Sequence, residues 1–306
     1  METVLSTFDL TKRFKSTLAV DKVCINVNKG DVYGLIGRNG AGKTTILKMI
    51  SGFIRPTSGG FSLFGVRNTD MDGSDVLRRV GTLIETPGIH SSMSAYENLE
   101  MKCICGGIDY SENYIMELLS LVGLASVAKK KAGGYSLGMK QRLGIALALV
   151  GEPELLVLDE PINGLDPQGI AEVREILIRL HEERGMTVVV SSHILEELSK
   201  IVTHYGIIDH GRIVKEITRE ELEYECSDRV EIAADEPERA AGVLRAAGYA
   251  SSGVSGGRII VKEGVNETPA MVSALCREGL PPRTVEIKGR TLEAFYLDLV
   301  GGEDRA

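Results

Sequence analysis

The chain has 306 residues, of which 43% are hydrophobic and 25% are charged, and its formal net charge is −8 at pH 7. This length and composition indicate a globular protein with more than one domain. The sequence has no apolar run long enough to span a bilayer, and its beginning lacks the basic and apolar segments of a secretory signal. We therefore expect a cytoplasmic protein whose five scattered cysteines are reduced, structural thiols.

The first predicted elements are the strands TVLSTFDL and VCINVNKGD, followed by the apolar run VYGLI and then by the loop GRNGAGKTT. A strand, a glycine-rich loop and a helix start fit the P-loop pattern G-x-x-x-x-G-K-[ST], in which backbone N–H groups surround a polyphosphate. Lys43 would reach the β- and γ-phosphates of ATP, and the Thr44 hydroxyl would bind Mg²⁺. The alternative is an ordinary glycine turn with a solvated lysine. The predicted ATP-binding residues of the loop are Gly37, Arg38, Asn39, Gly40, Ala41, Gly42, Lys43, Thr44 and Thr45.

Further strands are predicted around RVGTLIETP, PELLVLDEP, GMTVVVSSH and YGIIDHGRIV. Their apolar runs favour a parallel sheet buried on both faces, and hence an α/β fold. From about 96 to 149 the period is helical, which predicts a helical subdomain inserted into this core. Within it, YSLGM places Ser136 and Gly138 at a helix start, a pattern that any N-capped helix also shows.

Two carboxylates, Asp159 and Glu160, directly follow the apolar strand LLVL. Ligands bind at the carboxyl ends of parallel strands, so both side chains are expected beside the P-loop. Asp159 would then hold Mg²⁺ through water, and Glu160 would be the general base for an attacking water. A solvated acidic cluster at a helix start is the alternative.

After residue 216 the pattern becomes strand, helix, strand, strand, helix, strand, and a last amphipathic helix follows it. The strands are predicted at RVEIAAD, YASSGV, RIIVKEG and RTVEIKG, and this order matches a ferredoxin-like unit. We thus expect an ATPase domain over 1–216 and an accessory α+β domain over 217–306. The second domain holds 11 basic and 17 acidic side chains, so no nucleic-acid partner is expected.

The P-loop, YSLGMKQR, LLVLDEP, GLDP and a histidine after the next strand occur in the order and spacing that the ATP-binding cassette (ABC) ATPases have. The first 216 residues resemble that family. The resemblance implies a head-to-tail dimer in which Ser136, Gly138 and the D-loop residue Asp166 of one copy complete the ATP site of the other. It also identifies His193 as the switch histidine, which would hydrogen-bond the γ-phosphate and position the water.

Two further positions follow from the resemblance. Glu85 stands where the family usually has the Q-loop glutamine, so it is expected near the metal and the reacting water, with an added negative charge. Phe14 stands where an aromatic residue stacks on adenine, and a phenylalanine ring can serve this role. A core phenylalanine beside the first strand is the alternative for Phe14.

YSLGM, Glu85 and the C-terminal extension ending in LEAFYLDLVGG resemble the ATP-binding subunits of bacitracin-type and lantibiotic-immunity exporters. This resemblance implies integral membrane permease subunits on separate chains, a second cassette that is either identical or paralogous, and a position at the cytoplasmic face of the membrane. Peptide antibiotics are the implied cargo. The alternatives are a soluble ABC ATPase acting on ribosomes or DNA, and a small-molecule kinase with the same P-loop.

Overall fold

The computed structural model of the chain describes residues 2–71, 75–289 and 291–301. The chain divides into two compact units, Met1–Arg219 and Glu220–Ala306. No helix within these described ranges is both long and apolar enough to cross a membrane.

The first unit is built from strands and helices that alternate along most of its length, as in an α/β fold. Its strands are β1 Thr3–Phe14, β2 Thr17–Val23, β3 Asn26–Asn28, β4 Val32–Ile36, β5 Ser58–Leu63, β6 Val66–Arg67, β7 Val80–Leu83, β8 Leu155–Asp159, β9 Thr187–Ser192, β10 His204–Asp209 and β11 Arg212–Thr218. Its helices are α1 Lys43–Ile50, α2 Asp75–Arg78, α3 Ala95–Gly106, α4 Glu112–Leu121, α5 Leu137–Leu149, α6 Pro167–Arg184 and α7 Leu195–Leu198.

A six-stranded sheet lies at the centre of this unit, in the order β11-β10-β4-β9-β8-β7. Its strands are parallel except for β11, which pairs antiparallel with β10. All residues of β4, β8 and β9 are buried, which confirms the prediction made from their apolar runs. Because these three strands are adjacent and parallel, the loops at their carboxyl ends lie side by side.

A second, antiparallel sheet has the order β2-β1-β5-β6, and β3 also pairs with β1. The sequence pattern predicts β1 and part of this region but does not reveal β5 and β6. Glycines interrupt their pattern: a Cβ at Gly59 would lie 2.1 Å from the Asp9 carbonyl oxygen, so this close strand contact requires glycine. Side chains of α1, among them Ile46, Leu47 and Ile50, pack in one core with residues of both sheets.

The region predicted to be helical contains α3, α4 and α5 and two short 3₁₀ turns, Ala125–Val127 and Ala132–Gly134. Ser94 and Glu97 form a capping box at the start of α3, and Ser111 caps α4. Such caps satisfy the N–H groups that a helix start leaves unpaired and stabilise it by about 1 kcal/mol each.

The helix α8, Arg219–Cys226, spans the boundary between the two units, and the sequence pattern does not predict it. The other elements of the second unit are β12 Arg229–Ala233, α9 Pro237–Ala246, β13 Gly253–Ser255, β14 Arg258–Val261, α10 Thr268–Arg277, β15 Thr284–Lys288 and α11 Leu292–Gly301. The antiparallel sheet has the order β13-β14-β12-β15. The strand predicted for YASSGV begins only at Gly253, because Tyr249–Ser252 forms a turn in which the Ser252 N–H donates to the Tyr249 carbonyl at 3.1 Å. Gly302, the last residue of the quoted C-terminal segment, lies outside the described residues.

Candidate nucleotide-binding site

The predicted P-loop connects β4 to α1, which begins at Lys43. Two of its glycines are required by the backbone. A Cβ at Gly37 would lie 2.4 Å from the Ile208 carbonyl oxygen, and Gly42 has φ of 110°, in the left-handed region. The loop is therefore packed against the end of β10 and turns directly into a helix N-terminus, a geometry suited to an anion.

Lys43 is the charged centre of this loop, and it is buried with only 5% of its surface exposed. Its ammonium donates to the carbonyl oxygens of Gly37 at 2.6 Å and Arg38 at 3.2 Å, and lies 3.1 Å from Glu160 Oε1. A buried ammonium needs such partners, because transfer of an unpaired charge from water is costly. These contacts place a fixed positive charge between the P-loop and the carboxylate that follows β8.

Thr44 and Asp159 bring two oxygen donors together at the carboxyl end of β8. The Thr44 hydroxyl donates to Asp159 Oδ2 at 2.8 Å, and Ser191 donates to Asp159 Oδ1 at 2.7 Å. Asp159 is buried, at 4% exposure. A hydroxyl next to an oriented carboxylate fits the oxygen preference of Mg²⁺. The described residues contain no cluster of three or more His, Cys, Asp or Glu side chains that could hold a metal ion.

Glu160 and His193 form the adjacent pair. His193 Nδ1 lies 2.8 Å from Glu160 Oε2, and the Glu160 backbone N–H donates to Ser191 Oγ at 2.9 Å. Glu160 has φ of 48°, a left-handed conformation that is uncommon for a residue with a side chain. Its Oε1 is buried and forms the ion pair with Lys43.

Glu85 lies at a different place from the other carboxylates. Its Oε1 contacts Lys48 Nζ of α1 at 2.5 Å, and in the described part of the chain no hydrogen bond links it to Thr44, Asp159 or Glu160. The structure thus does not bring Glu85 into direct contact with the oxygens predicted to bind the metal. Its backbone φ is 62°, again in the left-handed region.

Phe14, at the end of β1, is 48% exposed, so the alternative of a core phenylalanine is wrong. Lys12 Nζ lies 5.1 Å from the centre of its ring. An exposed ring face with a nearby cation can stack on an adenine.

Ser136, Gly138 and Asp166 lie at two neighbouring helix starts. Ser136 caps α5 by accepting from the Met139 N–H at 3.2 Å, and Asp166 caps α6 by accepting from the Gly169 N–H at 3.0 Å. A Cβ at Gly138 would meet only Gly169 Cα, at 3.8 Å, and Leu165 Cδ2, at 3.9 Å. Both distances are ordinary contacts, so packing within the chain does not require glycine here.

Two residues of the site, Ser191 and Lys48, were not predicted from the sequence. Ser191 pairs in register with Asp159 across β9 and β8, and its hydroxyl also accepts from the Glu160 N–H. A hydroxyl residue at the end of the strand beside LLVLD was the available signal. For Lys48 the available signal was helix periodicity, because it lies four residues after Thr44 and therefore on the same face of α1.

Comparisons with known proteins identify relatives of the chain. The family model described as "ABC transporter" matches residues 20–163. The chain is 47% identical over 237 residues to the bacitracin transport ATP-binding protein BcrA of Bacillus licheniformis, covering 75% of this chain and 77% of that protein. It is 39% identical to BcrA of Enterococcus faecalis over 99% of this chain and 98% of that protein. It is 43% identical to the lantibiotic transport ATP-binding protein SrtF of Streptococcus pyogenes over 73% of this chain and 92% of that protein.

Solved structures show the same fold. The ADP conformation of MJ1267, an ATP-binding cassette of an ABC transporter, superposes with a TM-score of 0.66 at 28% identity, over 72% of this chain and 93% of that one. A dimeric post-hydrolysis state of the cassette MJ0796 bound to ADP and Pi superposes with a TM-score of 0.64 at 25% identity, over 70% of this chain and 98% of that one.

Proposed function

Because this chain belongs to the ABC transporter ATP-binding family, whose members bind and hydrolyse ATP, we propose that it powers the export of peptide antibiotics through separate membrane subunits. The relatives named for bacitracin and lantibiotic transport support this cargo class. A soluble ABC protein acting on ribosomes or DNA is not favoured by these relatives.

The ATPase part of this proposal rests on the group of polar and charged side chains at the carboxyl ends of β4, β8 and β9. We assign the P-loop residues 37–45 and Lys43 to the ATP phosphates, and Phe14 to the adenine. Thr44 and Asp159 would hold Mg²⁺, which neutralises charge on the phosphates when it is bound.

Hydrolysis needs a water aligned with the γ-phosphate and a base that accepts its proton. The Lys43 ammonium and the His193 ring contact the two oxygens of the Glu160 carboxylate and hold it in place. We therefore assign Glu160 as general base and His193 as the residue that orients it and the water. In this assignment the Lys43 ammonium would stabilise the negative charge that develops during the reaction.

A single copy lacks the second half of the site in this proposal. We assign Ser136, Gly138 and Asp166 to the ATP held by a second cassette, either a second copy or a paralogue, in a head-to-tail dimer. The start of α5 offers backbone N–H groups and a positive helix end to the γ-phosphate. The dimeric state of the MJ0796 structure and the lack of an intrachain packing requirement at Gly138 support this assignment.

The membrane partner would bind at a groove of about 330 Å³ beside the helical region. Its lining combines apolar side chains such as Ile84 and Met101 with polar ones such as His90 and Lys102, and it directly flanks Glu85. A helix from an integral membrane permease fits such a groove. Binding there would place the chain at the cytoplasmic face of the membrane.

The test of the catalytic assignment is Glu160→Gln. This variant should bind ATP like the parent, turn it over at a rate lower by about a hundredfold or more, and form a long-lived dimer with ATP in gel filtration. Glu154→Gln is the matched control, because Glu154 precedes β8 at its other end and pairs on the surface with Arg79. If Glu160→Gln hydrolyses ATP at the parental rate, Glu160 is not the base.

The test of the transport assignment is co-purification of this chain with an integral membrane protein from its native host. Bacitracin-like or lantibiotic peptides should then stimulate ATP turnover of the complex. A chain that associates with no membrane subunit and responds to none of these peptides would contradict the assignment.

A further inference from the structure

A salt bridge links α1, the helix that follows the P-loop, to the loop that follows β7 and lines the groove. Lys48 Nζ lies 2.5 Å from Glu85 Oε1. Lys48 follows Thr44 by four residues within α1, and residues four apart share one face of a helix. The cation that binds Glu85 therefore lies one helical turn from the hydroxyl assigned to Mg²⁺.

The position of the Glu85 carboxylate depends on this contact. Its side chain is 61% exposed, so packing does not fix it. Its backbone is left-handed, and its neighbours Ile84 and Thr86 line the groove. Lys48 is only 30% exposed and is held on a regular helix, so it is the more rigid partner of the two.

This contact matters because the site already carries negative charge from other carboxylates. Asp159 and Glu160 already supply two carboxylates next to the phosphate position, where Lys43 pairs with one Glu160 oxygen and His193 contacts the other. A third carboxylate would repel the triphosphate when no metal is present and would strengthen the attraction for Mg²⁺. A glutamine at position 85 would do neither, so the glutamate creates a charge that a nearby cation can control.

We propose that Lys48 is a positioning residue that holds the Glu85 carboxylate against α1, away from the Thr44 and Asp159 oxygens, and so limits the negative charge at the metal site. This inference rests on the proposed function of those two oxygens. Lys48 would thus affect how strongly nucleotide binding depends on Mg²⁺, without contacting the metal or the nucleotide.

The experiment measures the affinity of the full chain for a fluorescent, non-hydrolysable ATP analogue in EDTA and in saturating Mg²⁺. The dissociation constant in EDTA divided by that in Mg²⁺ reports how strongly metal and nucleotide binding are linked. A loss of positive charge that weakens binding equally in both conditions largely cancels in this ratio. Lys48→Met frees the carboxylate and should raise the ratio by about two- to fivefold, the range expected for loss of a partly exposed ion pair. Lys48→Arg keeps the pair and should keep the parental ratio.

The decisive comparison uses a Glu85→Gln background, in which no carboxylate can be released. There Lys48→Met should leave the ratio of Glu85→Gln unchanged. An unchanged ratio for Lys48→Met in the parent, or an equal rise in both backgrounds, would overturn the role of Lys48 alone. A parent whose affinity is the same with and without Mg²⁺ would overturn the metal assignment of Thr44 and Asp159, and the role of Lys48 with it.

Discussion

Replacing Gly138 with alanine separates a packing role from a role at a partner's nucleotide. The new Cβ would meet Gly169 Cα at 3.8 Å and Leu165 Cδ2 at 3.9 Å, so it fits without displacement. Alanine also favours a helix over glycine by about 0.5–1 kcal/mol in an interior position, and less in the first turn where Gly138 lies. The free energy of unfolding should therefore stay the same or rise slightly.

ATP turnover should fall, because a methyl group at this position would hold the partner's γ-phosphate away from the start of α5. A displacement of about 1 Å can cost about a hundredfold in rate. Gly37→Ala is the contrasting variant: its Cβ would lie 2.4 Å from the Ile208 carbonyl oxygen, and such overpacking costs about 1–3 kcal/mol of stability. Urea denaturation and ATPase assays on both variants measure the two effects. A Gly138→Ala protein that is destabilised, or that turns over ATP at the parental rate, would refute the reasoning.

Phe14→Ala should weaken ATP binding by about two- to tenfold with little loss of stability, since the ring is half exposed and stacking contributes about 0.5–1.5 kcal/mol; Phe14→Tyr should bind like the parent in the same titration, and equal affinity for all three proteins would contradict the adenine assignment. In the second unit, hydrogen bonds from Lys288 and Arg229 lower the pKa of Glu231 below its usual 4.5. A lowered folded-state pKa stabilises the fold above pH 4.5, and this stabilisation is lost as the pH falls through the folded value. Glu231→Gln should cost about 1–3 kcal/mol at neutral pH and should flatten the loss of urea stability on acidification. A parallel pH profile for parent and variant would show that Glu231 does not cause it.

The sequence predicts the site better than it predicts the surrounding sheets. Buried parallel strands have long apolar runs, so VYGLI, LLVLD and TVVVSS can be recognised as strands from the sequence alone. Once they are recognised, the rule that loops at their carboxyl ends meet is enough to bring Lys43, Asp159 and Glu160 together. The contacts at 2.8 Å between Thr44 and Asp159, and between His193 and Glu160, agree with that expectation, while the functions of these residues stay predictions.

Other features depend on tertiary contacts that local pattern does not carry. β5 includes Gly59 and Gly60, whose lack of side chains hides the alternation of a strand. The helix α8, REELEYEC, buries only Leu222, so it shows no apolar stripe to detect. The partner of Glu85 is Lys48, 37 residues earlier, and this pairing depends on how α1 lies beside the loop after β7.

The most direct test of the composite site mixes two inactive variants. Lys43→Met removes the phosphate-binding charge, and Gly138→Asp places a negative charge at the start of α5, where a Cβ makes only ordinary contacts and an acidic side chain suits the helix. In a mixed dimer, a site shared between chains would carry both lesions on one side and none on the other. We predict that each variant alone lacks ATPase activity and that mixing them restores it. Two variants that stay inactive when mixed, although gel filtration shows that they form a mixed dimer, would contradict a site completed by the second copy.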